Sequence, residues 1–110
     1  MGYKFWRHRE YAIEKKFQDA GFKRCERLAL SRNVLENTNE DVIVPELKLM
    51  IDVKSTTGKQ SIRIQKEDIE KIQADANKNQ KTGAVVFSFK QDKNSYIIFN
   101  LDDFIRSVKN

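Results

Sequence analysis

Asp52 and Lys54 lie two residues apart in Leu49-Met50-Ile51-Asp52-Val53-Lys54-Ser55, a stretch otherwise suited to a buried strand. Side chains alternate across a strand, so the two share one face. An acid and a base among apolar neighbours are costly unless paired, solvated or used in chemistry. Asp41 stands upstream, across a short hairpin that can bring it to the same face of the sheet. Two carboxylates that close repel each other unless a cation lies between them. A hard divalent ion takes oxygen ligands, here Asp41, Asp52, the backbone carbonyl of Val53 and waters. With one Cys and one His in the chain, a zinc site of those ligands is not expected. A carboxylate set favours Mg²⁺, with Mn²⁺ as a substitute. Such an ion acidifies a bound water and neutralises charge on a phosphate under attack. Lys54 would orient or deprotonate the attacking water, or stabilise the pentavalent transition state.

Glu10 is a further acid out of place. Residues 3–20 read as a helix stopped by Gly21, with Trp6, Glu10, Ile13, Phe17 and Ala20 along one stripe. Glu10 therefore falls on the core-facing side, where it would add charge to a water in the ion's outer shell or help hold a second ion. Each feature also has an ordinary explanation. Glu10 could pair with Arg7 along the helix, Asp41 could be a turn residue, and Asp52 with Lys54 could be a salt bridge. The joint pattern carries more weight than its parts.

The elements that must position these residues follow from periodicity. Phe22 to Leu30 reads as a first strand and 31–40 as a polar loop. Asp41–Val44 is a second strand ended by Pro45, and 48–55 a third. Ser61–Ile64 is a brief extended segment, and Gln65 to Gln80 a helix burying Ile69, Ile72 and Ala76. Ala84–Phe89 is a strand covered on both faces. Gln91–Asn94 is a turn, and Ser95–Phe99 a further strand. Asn100 caps a last helix with Leu101, Phe104, Ile105 and Val108 on its apolar side. The order α-β-β-β-α-β-β-α implies an α/β fold, a mixed five-stranded sheet flanked by helices.

The chain of 110 residues fits one domain, 1–110, with one core. It has no apolar run of about 18 residues, so no membrane span is expected. Its start lacks the apolar segment of a signal peptide, and position 6 is Trp where an acylation signal needs Ser or Thr. A lone Cys25 forms no internal disulfide and suits a reducing, cytoplasmic setting. Charged residues are 34% against a usual ~25%, and the net charge is +5. A basic folded domain points toward a polyanionic partner.

Asp41…Asp52-Val53-Lys54 resembles the PD-(D/E)xK nuclease motif. Within that superfamily the chain is similar to the archaeal-type Holliday junction resolvases, which also occur in phages. Arg9-Glu10 followed by Ala20-Gly21-Phe22 resembles that family's first helix and turn. Arg27…Ser31 resembles the arginine and serine before its mobile loop. Glu40-Asp41-Val42-Ile43 stands where Pro-Asp-Ile is usual, and Ile51-Asp52-Val53-Lys54-Ser55 where Ile-Glu-Val-Lys-Ser is usual. Arg32 replaces the usual Gly after the serine. The resemblance implies a restriction-endonuclease-like core, with Glu10, Asp41, Asp52 and Lys54 as the catalytic set. It implies a homodimer that nicks two opposed strands of a four-way DNA junction, with no small-molecule cofactor beyond the metal. Contacts to DNA would go mainly to phosphates. Lys4, Arg7, His8, Arg9, Arg27, Ser31, Arg32, Ser55, Lys59, Arg63 and Lys66 are the candidates. Tyr96–Phe99 and the helix after it carry more apolar surface than a small monomer covers, which places the subunit contact there. Two other functions stay open: a related nuclease acting on flaps, ends or duplex, and a non-catalytic DNA-binding module.

Overall fold

The computed structural model describes residues 2–27, 41–54, 60–90 and 92–109, with side chains from residue 11 in the first segment and from 42 in the second. Among these residues the order is α1 (Gly2–Asp19), β1 (Glu26–Arg27), β2 (Asp41–Val44), β3 (Leu49–Lys54), α2 (Lys66–Lys78), β4 (Thr82–Phe87), β5 (Tyr96–Phe99) and α3 (Leu101–Lys109). The strands form one five-stranded sheet in the order β1-β2-β3-β4-β5. β3 and β4 run parallel, and the other neighbouring pairs antiparallel. The expected α/β class with a mixed sheet between helices is therefore present.

The parity of β3 assigns the two faces. Leu49, Ile51 and Val53 join Val42, Val44, Ala84 and Val86 against Ile13 and Phe17 of α1. Met50 joins Val85 against Ile72 and Ala76 of α2. Both faces of β3 are thus covered, which is why its apolar residues run without alternation. The even positions of β3, including 52 and 54, belong to the face that α2 covers.

The end of α1 follows from Gly21. Its φ of +112° is a left-handed value that a residue without a Cβ adopts without strain. The Gly21 N–H then reaches the Gln18 carbonyl at 3.0 Å, and the Phe22 N–H reaches the Phe17 carbonyl at 2.9 Å. The Phe22 ring packs edge-on against Phe17, with centroids 6.0 Å apart, as an αL helix stop favours. Ala20, expected on the buried stripe, is exposed instead, because α1 has already ended before it. The first strand is also shorter than expected within the described residues. The Phe22 N–H is committed to the helix stop and the Cys25 N–H to the Phe22 carbonyl at 3.1 Å, so pairing starts only at Glu26.

The chain turns from β2 to β3 through a single 3₁₀ turn at Pro45–Leu47, closed by Lys48 at φ 51°. Pro45 thus stands at the end of β2, where it costs no ladder hydrogen bond. At the other end of the sheet the Asn100 side chain accepts the Asp103 N–H at 3.1 Å and caps α3. The Asp103 carboxylate pairs with Arg106 along α3.

Candidate active site

Asp41 is the direct antiparallel partner of Asp52. The register therefore puts positions 41, 52 and 54 on the α2-side face, at the C-terminal end of β3. Asp52 is only 5% exposed although it is charged. Lys54 Nζ lies 3.3 Å from Asp52 Oδ2 and 3.3 Å from Asp68 Oδ2. The ammonium thus sits between a buried strand carboxylate and a half-buried helix carboxylate.

Asp68 comes from the first turn of α2, where its N–H bonds the Gln65 carbonyl at 3.1 Å. A helix linking two parallel strands runs antiparallel to them, so the N-terminus of α2 returns to the end of β3 where Lys54 lies. The helix dipole also favours a carboxylate at that position. Sequence reasoning missed Asp68, which lies in the first turn of α2. The signal that could have found it is the crossover itself, which brings early residues of α2 back to the end of β3.

The remaining candidates divide by element. Glu10 lies on α1, which packs on the opposite face of the sheet, and its side chain lies outside the described ones. Lys4, Arg7, His8 and Arg9 belong to the same first half of α1, with side chains likewise outside the described ones. Ser31, Arg32, Ser55 and Lys59 lie outside the described residues. The Val53 side chain packs into the α1-side core. Arg63 is exposed, and Lys66 is exposed with Glu70 one turn on at 3.8 Å. Arg27 has internal partners: its guanidinium lies 3.2 Å from Glu14 and over the Tyr11 ring, 5.7 Å from the centroid.

The residue types at positions 41 and 52 fit a hard divalent cation: two acids at paired positions of one ladder, next to a backbone carbonyl. Among the described side chains no group of three or more His, Cys, Asp or Glu is arranged to hold a metal ion, and those of Glu10 and Asp41 are not among them. Cys25 is buried, which with the negative charge of Glu14, Glu46 and Glu26 pushes its thiol up to about 11. It is a core residue rather than a nucleophile.

No family model, curated protein or solved structure matches the chain. The functional reading therefore rests on its own residues and their geometry.

Proposed function

We propose that this chain is a metal-dependent endodeoxyribonuclease of the PD-(D/E)xK type, acting as a homodimer on four-way DNA junctions. The observation that carries this reading is the facing pair Asp41–Asp52 with Lys54 on the same face of a buried strand. A buried carboxylate opposite another carboxylate is poor stability design and good cation chemistry. The mixed sheet also supports it, with three antiparallel strands followed by a helical crossover to a parallel fourth.

Asp41, Asp52 and the Val53 carbonyl would hold Mg²⁺ or Mn²⁺ on the α2-side face. When bound, the ion lowers the pKa of a water and offsets phosphate charge. The protein's own work is positional and electrostatic. Asp52, fixed in a strand packed on both faces, sets the depth at which a phosphate meets the site. Lys54 Nζ presents N–H donors at the mouth of the site, where negative charge grows on the phosphate as water attacks phosphorus. The basic residues of α1, with Arg63 and Lys66, supply contacts to phosphates, which track shape rather than base sequence. Exposed Tyr96 and Ile97 on β5, with Leu101, Phe104, Ile105 and Val108 on α3, support a subunit contact in that region.

The test is cleavage of a labelled immobile four-way junction, a flap and a linear duplex, each with Mg²⁺ and with chelator. Paired, metal-dependent nicks near the junction centre are expected, and Asp52→Asn and Lys54→Ala should abolish them while junction binding persists. Equal cutting of the duplex would instead indicate a general nuclease. Binding without cutting would leave a DNA-binding module with a structural salt bridge.

A further inference from the structure

We infer that Asp68 is a positioning residue of this site: it anchors the Lys54 ammonium from the helix side, so that Lys54 stays over the phosphate when Asp52 is occupied by a cation. The inference rests on the nuclease reading above.

Lys54 Nζ stands 3.3 Å from each of two carboxylates, Asp52 on β3 and Asp68 on α2. A tight charge-assisted hydrogen bond measures about 2.7–2.9 Å, so Nζ is suspended between the two rather than docked on either. A divalent ion on Asp52 would draw on that carboxylate's charge and repel the ammonium beside it. Asp68 then supplies the remaining attraction. It comes from α2, whereas the acid paired with Asp52 in the ladder comes from β2. Its own position is fixed through α2, which is seated on the sheet by Ile72 and Ala76. Its carboxylate is about a third exposed, so its charge is not costly to keep.

The experiment compares wild type, Asp68→Asn and Asp68→Glu. Junction cleavage is measured at saturating substrate over a Mg²⁺ titration, and the side-chain order of Lys54 is measured by NMR relaxation of its Cε methylene at saturating Mg²⁺. A misplaced Lys54 should lower kcat about 10- to 100-fold in Asp68→Asn, with KM within about threefold and the Mg²⁺ midpoint unchanged. Asp68→Glu should recover most of kcat. Lys54 should be ordered in the wild type, mobile in Asp68→Asn, and ordered again in Asp68→Glu. Wild-type kcat in Asp68→Asn, or an unchanged Lys54 order, overturns the inference and leaves the nuclease reading standing. A raised Mg²⁺ midpoint with kcat recovered at saturation makes Asp68 a ligand and also overturns it. A wild-type protein that cuts none of the three substrates overturns the nuclease reading and the positioning role of Asp68 with it.

Discussion

A Cβ placed on Gly83 would stand 2.7 Å from the carbonyl oxygen of Ile72. Strand β4 and helix α2 therefore meet backbone to backbone, at a distance that leaves no room for a side chain. Gly83 is the parallel partner of Met50, one step along the sheet from Ile51 and two from Asp52. This contact sets how deeply α2 sits on the sheet, and so where Asp68 stands relative to Lys54.

Gly83→Ala should accordingly destabilise the fold by about 1–3 kcal/mol, since the atoms in the way are backbone and cannot rotate aside. The cost will appear as a lower denaturation midpoint with an unchanged slope. Cleavage should fall as well in the fraction that stays folded, because lifting α2 draws Asp68 away from Lys54. A variant as stable as the wild type would mean that α2 shifts freely and does not set the site.

Asp52 and Lys54 should respond differently when each is removed. Asp52→Asn deletes a buried charge at a position paired in the ladder with another acid, and Lys54 keeps Asp68 as a partner. Stability should stay within about 1 kcal/mol of wild type, or rise, while cutting is lost. Lys54→Ala leaves the buried Asp52 carboxylate without its ammonium and should cost roughly 1–3 kcal/mol. Urea titration of both variants beside the cleavage assay separates the cases. If Asp52→Asn is the more destabilised of the two, the pair is a structural salt bridge.

Much of this site was legible because it depends on local rules. Alternation along one strand put Asp52 and Lys54 on one face, and a short connection through Pro45 kept β2 next to β3. The glycine stop of α1 was equally local, since a positive φ at Gly21 needs no tertiary partner. Contacts set by tertiary placement were not legible. Asp68 meets Lys54 only because α2 folds back over the sheet. Arg27, read as a DNA contact from the chain alone, lies against Glu14 and Tyr11 because β1 packs beside α1. The depth of the strand at 22–30 was hidden too, since the helix stop and turn that use up its first N–H groups span Phe17 to Cys25.

Cys25 gives a pH dependence whose sign is fixed. Burial raises its thiol from 9.0 to about 11 in the folded protein, so the fold holds this proton more tightly than the unfolded chain does. Its contribution to stability is complete below about pH 9 and is lost as pH rises from there toward 11. Two measurements check this. Urea midpoints should fall between pH 9 and 11 in the wild type, and less so in Cys25→Ala once its own lower baseline is subtracted. A thiol reagent at pH 8 should label native protein far more slowly than protein in urea. Rapid labelling of the native state would show that the thiol is accessible.

The apolar face of α3 yields the prediction that links assembly to activity. Leu101 is 69% exposed and Val108 62%, so neither contributes much to the fold of one chain. Phe104 differs, because its ring packs on Phe99 with centroids 6.1 Å apart. Apolar residues this exposed, following an edge strand that itself exposes Tyr96 and Ile97, are expected to be covered by a second copy. Leu101→Asp with Val108→Asp should then leave the thermal midpoint of the single chain nearly unchanged. Sedimentation should shift to the 12.9 kDa monomer mass. Each monomer retains Asp41, Asp52, Lys54 and Asp68, so the chemistry of one site is intact. Two opposed incisions, however, need two sites held at a fixed spacing. The double variant should therefore release single nicks from a junction where the wild type, on the proposed reading, is expected to release paired ones. Paired nicking by a protein that sediments as a monomer would refute the α3 contact as the basis of pairing.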